Sequence, residues 1–271
     1  MATLQRAPLP ALAPFVATLW TNDRAAGLPH AREWNLPTGC ADLVIALQGV
    51  PPTRLAGPGD AVGRRFLHGV LQGVRDSATL RSTQGACTVV GVQFTPLGLA
   101  GFWAAPAQHF SGQALCLDDL WPGFADRLRE QVHAVRGLHS ADVRLHCLEQ
   151  ALLARLRPAA RPDGRMAWAQ QALAGGAAVG DVQRRSGLSP VAFIAAYRAA
   201  CGLAPKRHAD VLRLQQVLRG AHQGAGWAAL AADAGYADQS HLSRQFTRLA
   251  GMTPGQYRRG ATAWPSHVVS D

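Results

Sequence analysis

The 271-residue chain has almost no lysine: Lys206 is the only one among 27 basic residues. Acidic side chains are also few, at 17, which leaves a formal net charge of +10. No run approaches the roughly 20 apolar residues that a membrane-spanning helix requires. Residues 1–14 hold three prolines and one arginine without a signal-peptide apolar core, so a cytoplasmic protein is expected. The five cysteines (Cys40, Cys87, Cys116, Cys147 and Cys201) are odd in number and widely spaced, and no C-x-x-C occurs. That argues against a disulfide framework and against a cysteine-rich zinc site. Residues 57–63 are glycine-rich but lack the lysine of a phosphate loop and the spacing of a dinucleotide fingerprint, so they read as a turn. No G-x-S-x-G elbow is present, and His139, His146 and Cys147 do not have ligand spacing. The expectation is no enzyme, with no catalytic residue, cofactor or metal.

What is present is enough apolar material for a core: 48% of residues are hydrophobic and only 16% charged. The length suits about two domains. A surplus of positive charge points to a polyanionic partner, nucleic acid first and an anionic membrane surface second. Its distribution favours the first. Residues 1–160 carry 14 Arg and 11 acids, a net of +3, whereas residues 161–271 carry 12 Arg, one Lys and 6 acids, a net of +7. Between them, residues 157–164 combine two prolines and a glycine and read as a linker. The near-exclusive use of arginine suits bidentate contacts to phosphate or guanine, although a genomic composition bias would produce it too.

The basic part repeats itself. Val182, Gly187, Leu188, Phe193, Tyr197, Gly202 and Pro205 recur as Leu230, Gly235, Tyr236, Leu242, Phe246, Gly251 and Pro254, an offset of about 49 residues after one extra residue enters the second turn. Each copy reads as a short helix, a glycine turn, an apolar plug and a longer helix, the grammar of a helix-turn-helix unit. Such a unit lays its second helix in the DNA major groove. In the second copy Asp238 is placed to cap a helix starting at Gln239. At 3.6 residues per turn, Leu242, Phe246 and Leu249 share one side. Gln239, Ser240, His241 and Arg244 lie on or beside the opposite side with Thr247 and Arg248. Arg244 has the reach for guanine O6 and N7, Gln239 for adenine and Ser240 for base or phosphate. Thr247 and Arg248 are the backbone or weak contacts.

The segment Ala231 to Phe246, with Gly251-Met252-Thr253-Pro254 and Tyr257-Arg258 after it, resembles the signature of AraC/XylS-type transcriptional regulators. The resemblance spans roughly residues 165–260. It implies two helix-turn-helix units joined by a long helix, here Pro205 to Arg219, with both recognition helices in adjacent major grooves of double-stranded DNA. It places Gln239, Ser240, His241 and Arg244 at the family's base-contacting positions. RNA polymerase, a homodimer partner and a small-molecule effector are further partners it implies. The first unit departs from the pattern. Its outward residues are Val191, Ile194, Ala195 and Arg198, and the family has polar readers and an arginine at the first three of these places. Arg198 is its one charged contact, and the apolar face suits thymine methyls or a protein partner.

Residues 30–100 look strand-rich, notably Leu43 to Leu47 and Cys87 to Phe94. Helical spacing follows over 118–135 and 142–156. The second stretch is a candidate for packing across a dimer or against the DNA-binding part, with an intramolecular core helix as the plainer reading. Leu36 to Val44, Val92 to Gly98 and Leu117 to Trp121 are similar to the sensor domain of a subgroup of the same regulators. By that likeness the region is an effector-binding or oligomerisation domain. Trp34, Phe66, His68, Phe94 and Trp103 are the effector-pocket candidates, against the alternative that they are core.

The expected fold is thus an α+β domain (1–157), a linker (158–165), an all-α domain of two helix-turn-helix units joined by a long helix (166–260), and a tail (261–271). The expected function is sequence-specific, effector-responsive transcriptional regulation. One alternative is a DNA-alkylation-responsive repair regulator with Cys40 as methyl acceptor, although Gly, Ala and Asp beside Cys40 would not favour a thiolate. Another is a non-specific nucleic-acid-binding protein with no sequence preference.

Overall fold

The structure, a computed structural model, describes residues 2–25, 30–158 and 160–270. Two antiparallel sheets build the first half. One runs in the order β1 (Ala2–Arg6), β2 (Val16–Arg24), β9 (Cys87–Phe94), β4 (Asp42–Gly49), β7 (Val70–Gln72) and β10 (Ala114–Cys116). The other runs β11 (His267–Val269), β3 (Arg32–Asn35), β8 (Thr79–Ser82), β5 (Thr53–Leu55) and β6 (Arg64–Arg65). Central strands β4 and β9 bury Leu43, Ile45, Val90, Val92 and Phe94, as the β-branched and apolar runs predict. Gly91 is needed within β9, because a Cβ there would fall 2.1 Å from the Trp20 ring.

Helices α1 (Leu117–Leu120), α2 (Phe124–Ala134) and α3 (Ala141–Leu153) complete this core. Leu145, Leu148 and Leu152 of α3 are fully buried, with α3 packed against β2 and β9. The candidate docking helix is therefore an internal core helix. Two buried charges on α3 are each paired, as low-dielectric surroundings demand. Arg144 forks onto Asp23 of β2 at 2.5 and 2.8 Å, and Glu149 accepts from Arg6 and the Leu9 N–H at 2.7–3.1 Å. Residues 57–63 form a turn in which Asp60 accepts three backbone N–H groups.

The second half is helical: α4 (Gly164–Ala174), α5 (Val179–Arg185), α6 (Pro190–Cys201), α7 (Pro205–His222), α8 (Trp227–Asp233), α9 (Gln239–Ala250) and α10 (Pro254–Gly260). It has two cores. Met166, Ala169, Val182, Phe193 and Tyr197 form one, and Leu218, Leu230, Leu242, Phe246 and Tyr257 the other. The 18-residue α7 feeds both. An α+β half thus precedes an all-α half with two helix-turn-helix units on one long helix, the expected fold class.

Four described strands lie outside the region read as strand-rich. β1 and β2 precede it, and β2 is hard to read because its second half, Trp20-Thr21-Asn22-Asp23-Arg24, is mostly polar. The three-residue β10 follows it and closes one edge of the first sheet. The fourth is β11, which brings the C-terminal segment back to the first half. Its register is His267 to Asn35, Val268 to Trp34 and Val269 to Glu33. The Leu36 N–H donates to Ser266 and the Ser270 N–H to Arg32, at 2.8 and 3.1 Å. Val268 is buried in the same core as Leu36, Val74 and the second helix-turn-helix unit.

Candidate nucleic-acid interface

Each helix-turn-helix turn is shaped by a glycine in the left-handed region, Gly187 and Gly235, both at φ 72°. No atom lies within 4 Å of where either Cβ would be, so backbone conformation alone selects glycine there. The plugs differ. Tyr236 is buried and Leu188 half-buried, and Arg213 of α7 lies over the Tyr236 ring at 5.2 Å.

α9 begins at Asp238, whose carboxylate accepts from the His241 N–H at 2.6 Å. It ends at Gly251 in the left-handed conformation. Leu242, Phe246, Leu249 and Ala250 form its buried stripe. Gln239, Ser240 and Arg244 are exposed together on the other side. The Arg244 guanidinium has no hydrogen bond or ion pair among the described residues, so its donors are free for an acceptor outside the chain. His241 is different: it is half-buried, with its ring edge-on to Tyr236 at 5.4 Å and its Nδ1 3.5 Å from the Ala237 N–H. Thr247 spends its hydroxyl on the Ser243 carbonyl at 2.9 Å. Arg248 is held by Asp210 of α7 at 2.9 Å and by Gln245. It therefore ties the recognition helix to the long helix, a link not legible from the repeat.

α6 occupies the same place in the first unit. Ser189 caps it, Pro190 opens it and Gly202 closes it in the left-handed region. Phe193, Tyr197 and Cys201 face inward, while Val191, Ile194, Ala195 and Arg198 are exposed.

Both units are fastened to the first half. A Cβ on Gly202 would fall 2.3 Å from Val74, and one on Gly39 would fall 2.9 Å from the His208 Nε2. His208, at the start of α7, is fully buried with Nδ1 2.8 Å from the Tyr197 hydroxyl. Burial pushes its pKa down to about 4. The Ala78 N–H donates to the Leu249 carbonyl of α9 at 3.0 Å, and Gln215 donates to Pro37 at 2.8 Å. Arg207 and Asp76 pair at 3.2 Å. Behind β11, burial and the Arg81 charge push His267 down to about 3 although Glu33 opposes them. Burial also raises the Glu33 carboxyl, but Arg81 and His30 outweigh it and hold it below the usual range.

Residues 182–260 match the family model of the helix-turn-helix domain. The C-terminal part is an AraC-type helix-turn-helix domain. Residues 4–115 match a second family model, described only as a domain of unknown function, which precedes this AraC-type domain in the chain. No curated protein sequence matches the chain. Among solved structures, a 1.65 Å structure of ToxT from Vibrio cholerae superposes with a TM-score of 0.50 at 8% identity, covering 96% of this chain and 98% of that one. ToxT from Vibrio cholerae O395 gives 0.47 at 10% identity, covering 89% and 97%. At such identities the likeness concerns the fold alone. It extends past the AraC-type domain over the sheets as well.

The five effector-pocket candidates are not gathered in one place. Phe94 and Trp103 meet at 6.1 Å between ring centroids, and Trp103 stacks on Trp121 at 4.5 Å, inside the aromatic core of the first half. Trp34 packs against the core of the second helix-turn-helix unit. His68 is at the surface, 3.4 Å from Asp126. Phe66 lines an open depression of about 390 Å³ with Arg54, Arg64 and Gln113. Cys40 has an environment opposite to that of a methyl acceptor. Burial and then the nearby Asp42 push its thiol up to about 12. A transferable methyl group needs a thiolate at neutral pH. Among the described residues no helix is long and apolar enough to cross a membrane.

Proposed function

We propose that the chain is a sequence-specific DNA-binding transcriptional regulator whose α9 supplies most base discrimination. The observation that carries this reading is the exposed trio Gln239, Ser240 and Arg244 on a well-capped helix within an AraC-type domain. Arg244 forks onto guanine, Gln239 and Ser240 read neighbouring bases, and His241 contributes from the edge of the face. Arg198 of α6, and Thr247 and Arg248 of α9, lie near the backbone, with Arg248 exchanging Asp210 for phosphate only at the expense of the α7–α9 link.

The first half acts as the responsive domain. Its support is the set of contacts that hold both units: Gly39 on His208, Val74 on Gly202, Ala78 on Leu249, and β11 on β3. An effector acts only by binding two arrangements of these contacts with different affinity. Selection of binding sites from a randomised duplex library by the full chain, at physiological salt, tests the central claim. A defined sequence should emerge, and its strongest preferences should relax in Arg244→Ala. Equal affinity for all duplexes would reduce the protein to a non-specific polyanion binder.

A further inference from the structure

On α6, Val191 is 80% exposed and Ile194 46% exposed, two of the large apolar side chains that the described surface leaves uncovered. With Ala195 and Arg198 they lie within an arc of about 100° at 3.6 residues per turn. By the 49-residue offset Val191 stands where α9 has Ser240, Ile194 where it has Ser243 and Ala195 where it has Arg244. The apolar patch thus sits on the reading position of a helix-turn-helix unit. Cationic side chains accompany it in the same unit: Arg198 continues the face, and Arg184 and Arg185 end α5, all exposed, with Arg184 paired to Asp181. A cationic helix-turn-helix unit with an apolar reading strip matches a groove with phosphates along its walls and methyl groups on its floor.

We propose that α6 reads DNA by shape and methyl contact, with Val191 and Ile194 as specificity-determining residues for thymine. The inference rests on the DNA-binding reading above. In the major groove the thymine C5-methyl is the one apolar feature among the unmodified bases. An aliphatic side chain covers it favourably. The same side chain over guanine or cytosine would displace water from O6, N7 or N4 and return no hydrogen bond. The first half-site is therefore thymine-rich at one or two positions, and its discrimination is weaker than that of α9. Arg184, Arg185 and Arg198 hold the helix to the phosphates and carry the salt dependence.

The test replaces thymine by deoxyuridine, which removes the methyl and leaves every hydrogen-bonding group. Sites are first selected from a randomised duplex by the full chain. Positions whose preference relaxes in Arg244→Ala are assigned to α9, and the remaining conserved block to α6. Deoxyuridine in that block should weaken binding about three- to fivefold per contacted thymine, the worth of one buried methyl. In Val191→Ser and Ile194→Ser, both exposed and expected to leave the melting temperature unchanged, thymine and deoxyuridine should bind alike. Three results would overturn the proposal: no sensitivity to deoxyuridine, no conserved block beyond the α9 positions, or serine variants that change oligomeric state while DNA affinity stays constant. Failure to select any sequence would instead bring down the DNA-reading assignment itself.

Discussion

The two helix-turn-helix units share a scaffold and differ in what they present. Gly187 and Gly235 have the same φ, Gly202 and Gly251 close both recognition helices, and Ser189 and Asp238 cap them. Inside, Phe193 and Tyr197 of α6 correspond to Leu242 and Phe246 of α9. Outside, α9 offers a guanidinium, an amide and a hydroxyl, while α6 offers valine, isoleucine and alanine. The fold requires only the inward stripe, the turn and the caps, so the outward residues were free to diverge. Bulk charge obscures this difference, because it counts every arginine of the domain alike, whichever face the side chain occupies.

The largest effect that tests the asymmetry is Arg244→Ala. Loss of a bidentate contact should cost about 1–3 kcal/mol, or roughly 5- to 150-fold in affinity for the selected site. Non-specific binding should hardly change. Anisotropy titration with specific and scrambled duplexes distinguishes the two, and an equal loss on both would mark Arg244 as a phosphate contact. The converse experiment gives α6 the missing donor. Ala195→Arg introduces guanidinium at an exposed position. It should add a guanine preference of about tenfold to the first half-site, and an unchanged selected sequence would show that α6 does not enter the groove.

The shared scaffold predicts equality where the reading faces predict difference. Gly187→Ala and Gly235→Ala each place a Cβ in a left-handed turn with no neighbour within 4 Å. Each should cost about 1–2 kcal/mol of stability by backbone strain alone. Thermal melts that give one unit a much larger loss would reveal packing at that turn beyond the backbone term.

How much of this was legible depends on the sequence separation of the interacting groups. The turn glycines, the Asp238 cap and the stripe Leu242, Phe246, Leu249 are local, so periodicity and spacing show them directly. The strands Leu43 to Leu47 and Cys87 to Phe94 were legible for the same reason, as apolar β-branched runs. β11 was not, because three residues, His-Val-Val, have no period of their own and pair with a strand more than 230 residues earlier in the chain. The engagement of Arg248 with Asp210, and of His208 with Tyr197 and Gly39, likewise exists only after the long helix has brought distant segments together. The aromatic candidates Trp34, Phe66, Phe94 and Trp103 show the converse. Residue type suggested one pocket, but tertiary packing brings only Phe94 and Trp103 together, while Trp34 joins the core of the second unit and Phe66 lines a separate depression.

The smallest effect concerns how the two units are held, and it is read through pH. His208 sits under α6 and its Tyr197, and His267 sits on β11 behind the second unit. Their pKa values are depressed to about 4 and about 3 from 6.5, chiefly by burial, so the folded protein keeps both imidazoles neutral. The unfolded chain takes up protons below pH 6.5, so stability is complete above that pH and declines as pH falls. Between pH 7 and 6 each histidine should remove about 0.7 kcal/mol, a value insensitive to how far below 6 the folded pKa lies. Asp42 opposes them. Burial raises its carboxyl to about 6, although Arg75 and Gln93 pull the other way, so the folded state begins to bind a proton before the unfolded state does. It returns about 0.3 kcal/mol over the same interval. The net loss of about 1 kcal/mol should appear as a lower melting temperature at pH 6 than at pH 7. His208→Gln should cut the dependence to about a third, the His267 share less what Asp42 returns. A variant with the full wild-type slope would show that the first unit is not held to the sensor-like half by a neutral His208.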